Sequence, residues 1–182
     1  AKDDLGEAER EAQARLKKVA REVSSSLAKL ELQFQEGQKQ AGLRDWVKAL
    51  ETFKACTVAA DEAIRLQRED VTRGAGAHCE PTYMEALFDA LGADAVKKLG
   101  ADVGPKTLGE LSKAFTADAL KDLQAELGDG KAVKTWLTDV CDGKPAELKK
   151  LRDAFGSMAA VKTVAAQAFG GSRHGKPVCG LG

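Results

Sequence analysis

The residues able to do chemistry in this 182-residue chain are few, and their spacing suits catalysis poorly. There are two histidines, His78 and His174, both close to glycine in loop-like sequence. A serine or cysteine hydrolase needs an imidazole oriented by an acid and in reach of a nucleophile. Cys79 adjoins His78, but neighbours along a chain seldom meet in that geometry. The acid pairs Asp61-Glu62 and Glu69-Asp70 stand among arginines and read as solvated faces. Gly74-Ala75-Gly76 follows a helical pattern, not a strand, so it is no phosphate loop. Met84 and Met158 are isolated and suggest no cofactor box. The expectation is a protein with no catalytic, cofactor-binding or metal-binding residues, and no enzyme.

Four cysteines, Cys56, Cys79, Cys141 and Cys179, lie far apart, with no Cys-x-x-Cys pair. Zinc would draw on His78-Cys79 and on His174 with Cys179, without the paired short spacings of structural zinc motifs. As thiols, Cys56 would fill a core and the others would sit at loops or helix ends. As two disulfides they would tie glycine-rich connections to longer elements, and their places at loop edges favour this reading. It implies an oxidising compartment. Three pairings are open. The one preferred, Cys79–Cys141 with Cys56–Cys179, would fasten the tail back onto the second long helix.

The elements that must position these residues are helical. Leu5 to Val71 runs without a proline. Leu16, Val19, Val23, Leu27, Leu30 and Phe34 are spaced by threes and fours, one stripe on a helix. A second stripe follows at Leu43, Trp46, Leu50, Phe53, Thr57, Ala60 and Ile64, the beat of a helix packed on a partner. The two are out of heptad register, and the slip falls in the polar, glycine-bearing 35–42. That predicts a bend or hairpin there, with Arg44-Asp45 opening the next helix; one helix with a stutter is the alternative. Ser24-Ser25-Ser26 are poor helix formers whose small cost packing can absorb. Gly37, Trp46, Ala49, Phe53 and Ala55-Cys56 resemble part of one tetratricopeptide repeat. That repeat needs tandem copies, and none recurs at its period, so ordinary hairpin packing is the simpler reading.

The second half is punctuated by glycine and proline: Gly74-Ala75-Gly76, Gly92, Val103-Gly104-Pro105, Gly128-Asp129-Gly130 and Asp142-Gly143-Lys144-Pro145. Thr82-Tyr83-Met84-Glu85 and Thr107-Leu108-Gly109-Glu110 have the capping-box pattern. Leu87, Ala90 and Ala93-Asp94-Ala95-Val96-Lys97 echo 24 residues later as Leu111, Ala114 and Ala117-Asp118-Ala119-Leu120-Lys121. Stacked helical units or chance in an alanine-rich chain would each explain it. Helices are expected over 131–141 and, as a third arm weakened at Gly156-Ser157, over 146–169.

Alanine is the commonest residue, with 31 copies, isoleucine occurs once, and asparagine is missing. This composition predicts an all-α fold and rules out an N-glycosylation sequon. Basic and acidic residues balance at 28 each, so no nucleic-acid-binding face is expected. No small-molecule substrate is indicated, and no apolar run reaches the roughly 20 residues of a membrane span. The expected architecture is an elongated helical bundle over 1–171. Its long arms run at 3–36, 43–72 and 146–169, a head of short helices covers 74–142, and 172–182 is a tail. A start at Ala1 suggests a processed or trimmed product.

The arm Leu16–Ile64, the four spread cysteines and stretches such as Val58-Ala59-Ala60-Asp61-Glu62-Ala63 resemble the helical-bundle surface glycoproteins of African trypanosomes. Among these the likeness is to the glutamic acid/alanine-rich coat proteins. Glutamate, at 14 residues, is not abundant here, and neither a sequon nor an anchor signal is present. The resemblance implies a non-enzymatic coat protein, a surface antigen held on the plasma membrane by a C-terminal GPI anchor lost from this piece, beside neighbouring coat proteins. A related receptor would instead capture a host macromolecule through the head, with an exposed apolar patch near Tyr83, Phe88 or Trp136. A tetratricopeptide-like intracellular scaffold would use a peptide groove beside Trp46.

Overall fold

The computed structural model describes residues 2–169 and is all-α, with no strand among them. The described residues form two compact units: 2–73 together with 91–95, and 74–90 together with 96–169.

The first unit is built on three helices, α1 (Lys2–Glu22), α2 (Leu27–Gly42) and α3 (Trp46–Ala75). The arm expected over 3–36 is not one helix. Val23 takes φ −153°, Ser24–Ser26 make a single 3-10 turn, and the chain reverses. Glu9 near the start of α1 accepts from Gln38 near the end of α2 at 3.1 Å, so the two helices are antiparallel. Serines favour such a site because their side chains and freed amides find partners outside a helix. Here Ser24 donates through both its amide and its hydroxyl to Asp94 Oδ2, each at 2.7 Å.

A second reversal joins α2 to α3. It falls at 43–45, after the slip expected over 35–42, which is helical throughout. Arg44 takes the left-handed φ of 62°, and its amide donates back to the Ala41 carbonyl. Arg15 meets Asp61 at 2.8 Å and Glu22 meets Arg68, so α3 runs in the same sense as α1. The result is an up-down-up bundle.

Its core comprises Leu5, Ala8, Ala12, Leu16, Val19 and Val23 from α1 and its end, Leu30 and Phe34 from α2, and Ala49, Phe53, Cys56, Ala60 and Ile64 from α3. Alanine at the contact positions lets the axes come close. At Gly37 there is no room for a side chain: a Cβ there would lie 2.7 Å from Phe53 Cε1. Phe34 and Phe53 stack tilted, with centroids 5.3 Å apart. The second apolar stripe is only partly a core face, because Leu43 and Trp46 at its start are exposed.

The second unit is a series of short helices: α4 (Pro81–Leu91), α5 (Ala93–Val103), α6 (Pro105–Ala114), α7 (Ala117–Leu127), α8 (Gly130–Val140), α9 (Pro145–Phe155) and α10 (Met158–Phe169). The first three residues of α5 belong to the first unit. Proline opens α4, α6 and α9, where its missing amide costs nothing. Thr82 and Thr107 therefore lie inside helices, not at the caps expected of them. Thr116, Asp129 and Ser157 are the working N-caps, accepting from the amides of Ala119, Ala132 and Ala160. The arm expected over 146–169 is divided by Gly156, left-handed at φ 81°, into α9 and α10.

The 24-residue echo is carried by the helices themselves. Pro81 and Pro105 open α4 and α6, Ala93 and Ala117 open α5 and α7, and Gly104 and Gly128 end the pairs at positive φ. Met84 and Leu87 in α4 match Leu108 and Leu111 in α6, all buried. Val96, Leu99 and Val103 match Leu120, Leu123 and Leu127 in the same way. A two-helix unit is thus used twice in succession.

Candidate functional site

The cysteines come first. Cys56 lies fully buried in the α1–α2–α3 core, its thiol 3.6 Å from the Leu30 carbonyl. Cys79 and Cys141 are buried in the second unit. No disulfide joins Cys56, Cys79 and Cys141 among the described residues. The expected Cys79–Cys141 bridge is therefore not formed; both thiols are buried, and that of Cys79 is hydrogen-bonded with Ser112 instead. Cys179, the expected partner of Cys56, lies outside the described residues, as do the tail at 172–182 and His174.

Burial pushes the Cys56 thiol up, and it pushes the Cys79 thiol up against a smaller opposing effect from a hydrogen bond with Ser112. A nucleophilic cysteine needs the opposite shift. His78 beside it is exposed at the end of the 3-10 turn Gly76–His78. Its carbonyl is pressed against α6, where a Cβ on Gly109 would lie 2.5 Å away. Tyr83 donates to the Phe115 carbonyl at 3.0 Å, and burial, then the neighbouring Cys79, pushes its phenol up to about 12. This corner packs; it presents no activated group.

The acid pairs behave as solvated faces. Arg65 is bonded to both Glu62 and Glu69, and its hydrogen bond holds the Glu62 carboxyl below the usual range. No group of three or more His, Cys, Asp or Glu among the described residues could hold a metal ion. No described helix is long and apolar enough to cross a membrane.

One buried ionic site escaped the sequence reading. Glu22, the last residue of α1, has no exposed surface. Its Oε1 lies 2.5 Å from Arg68 Nη2 on α3, and its Oε2 accepts from the Ala93 amide at 2.7 Å. Asp94, next along, accepts from Ser24 and, at 2.9 Å, from Gln67. The two carboxylates clamp the first turn of α5 against the ends of α1 and α3 within the first unit. Ala93 is the first residue of α5, so the Glu22 charge also faces a helix N-terminus. Gly92 has to be glycine here: at φ 85°, a Cβ would meet the Arg21 carbonyl at 2.7 Å. The sequence signal was present, since Glu22 continues the spacing Leu5, Ala8, Ala12, Leu16, Val19. A charge on a buried stripe needs a buried partner.

Two surface features remain. A groove of about 470 Å³ lies between α1 and α2. Its floor includes Leu16, Leu27 and Phe34, and its rim Lys17, Glu31 and Gln38. At the α2–α3 turn, Leu43, Trp46 and Val47 are 73%, 46% and 68% exposed. The apolar patch that the receptor alternative requires in the head is not formed. Phe88 is fully buried, Tyr83 and Trp136 are half-buried, and no large exposed apolar side chain falls within 74–142.

No protein-family model, curated protein or solved structure matches this chain.

Proposed function

We propose that the chain is a non-enzymatic helical scaffold that holds an extended peptide in the α1–α2 groove. The observation that carries this is the groove itself, about 470 Å³ between α1 and α2, with Leu16, Leu27 and Phe34 beneath it and Lys17, Glu31 and Gln38 on its rim. An apolar floor with polar side chains on its rim offers contacts for side chains below and a peptide backbone above. Selection of random peptides against the whole chain tests it. Binders weakened at least tenfold by Lys17→Glu with Gln38→Ala are expected; binders indifferent to that pair, or none, would discard the groove.

A cell-surface coat protein, GPI-anchored as the trypanosome resemblance implies, is the second reading. It is favoured by the alanine-lined contacts Ala8, Ala12, Ala49 and Ala60 within the three-helix bundle of the first unit. The two readings differ in the sulfurs. Intact mass after alkylation under denaturing, non-reducing conditions should find four reactive thiols for the scaffold and none for the disulfide-braced coat.

A further inference from the structure

At the α2–α3 turn three large exposed apolar side chains, Leu43, Trp46 and Val47, fall within five residues, while Leu32, Val58, Leu66, Phe155 and Val164 are separated from one another along the chain. Cations flank the apolar tip. Lys39 and Arg44 have no acid partner among the described residues, and the single acid of the turn, Asp45, is engaged by Lys48 at 3.2 Å. Arg44 is exposed and takes a left-handed backbone at φ 62° in the three-residue turn.

We propose that this turn is a docking point for an anionic lipid surface. The size of the patch argues against a protein partner. A whole aromatic side chain buries roughly 150–250 Å². Three partly exposed side chains therefore fall well short of the about 800 Å² per partner of an ordinary protein interface. A bilayer imposes no such minimum, because an exposed turn can sink among headgroups and be surrounded. Tryptophan suits that interfacial layer, with an apolar body and one N–H donor. Leucine and valine beside it reach toward the acyl boundary, and unpartnered Lys39 and Arg44 complement acidic headgroups. A second copy of the chain would bring like charges face to face. The turn shares no residue with the α1–α2 groove, so docking there stands or falls separately from peptide binding.

The test uses the full chain with Trp136→Phe, leaving Trp46 as the sole tryptophan, and circular dichroism to check that the helices are kept. Phosphatidylcholine vesicles containing phosphatidylserine should shift the Trp46 emission to the blue and sediment the protein; pure phosphatidylcholine should do neither. Leu43→Ser with Val47→Ser should abolish both effects. Lys39→Gln and Arg44→Gly should each weaken binding by about fivefold, and raised salt should weaken it further. Three outcomes would overturn the proposal: no shift at any lipid concentration, equal binding to neutral vesicles, or a concentration-dependent dimer that the Leu43 and Val47 changes abolish.

Discussion

Glu22 at the end of α1 and Arg68 in α3 form a buried ion pair 46 residues apart in sequence, and the same carboxylate caps the first amide of α5. Three segments thus converge on one side chain. Losing a member of a buried pair typically costs about 3–5 kcal/mol, because charges and amides are left desolvated. Glu22→Ala is expected to fall in that range by urea denaturation. Glu22→Gln should cost less, since the amide oxygen still accepts from Ala93. In a double-mutant cycle with Arg68→Met, the two losses should fall short of additive by at least about 1 kcal/mol.

Gly37 and Phe53 set the distance between α2 and α3, with no room for a methyl group. Gly37→Ala should destabilise the chain by about 1–3 kcal/mol through overpacking. Gly6, also helical but with open space around its Cα, gives the control. Gly6→Ala should stabilise by up to about 1 kcal/mol on helix propensity. Thermal melts of the two variants should move in opposite directions.

Arg44 holds a left-handed backbone in the turn. A non-glycine residue pays about 1–2 kcal/mol for that conformation, partly offset by the greater unfolded freedom of glycine. Arg44→Gly should therefore raise the urea midpoint slightly; a lowered midpoint would mean that Arg44 makes a stabilising contact of its own.

Tyr83 is the only tyrosine, so its ionisation can be followed alone by ultraviolet absorbance. Its phenol is raised to about 12 from an ordinary 10.0. The native state therefore holds this proton more tightly than the unfolded chain. The associated stability is fully present below pH 10.0 and is lost as pH rises toward about 12. Titration should show a midpoint near the higher value, and Tyr83→Phe should remove this part of the alkaline destabilisation. A midpoint at the ordinary value would mean that the ring is solvated.

Cys56 and Cys79 should resist Ellman's reagent in the folded chain, since burial disfavours the thiolate. Urea should expose them, and rapid labelling without denaturant would contradict their burial.

Composition and periodicity were enough for the all-α fold, for most of the helix faces and for the breaks at glycine and proline. These are local properties: a 3-4 apolar beat defines a face, and a proline or a left-handed glycine ends a helix wherever it stands. The stripe from Leu16 to Phe34 shows the limit. It reads as unbroken, yet it belongs to two antiparallel helices, because a tight reversal at Ser24–Ser26 returns the chain with the same side facing inward. Periodicity carries no sign for direction. Only the packing of α3 against both helices, and Asp94 waiting for the Ser24 amide, decided that the serines turn the chain. Leu43 and Trp46 keep the beat but have nothing above them, since burial depends on which neighbours arrive. Glu22 and the cysteines follow the same rule. Whether a carboxylate finds an arginine, or a thiol another thiol, rests on distances across the fold that spacing along the chain does not contain.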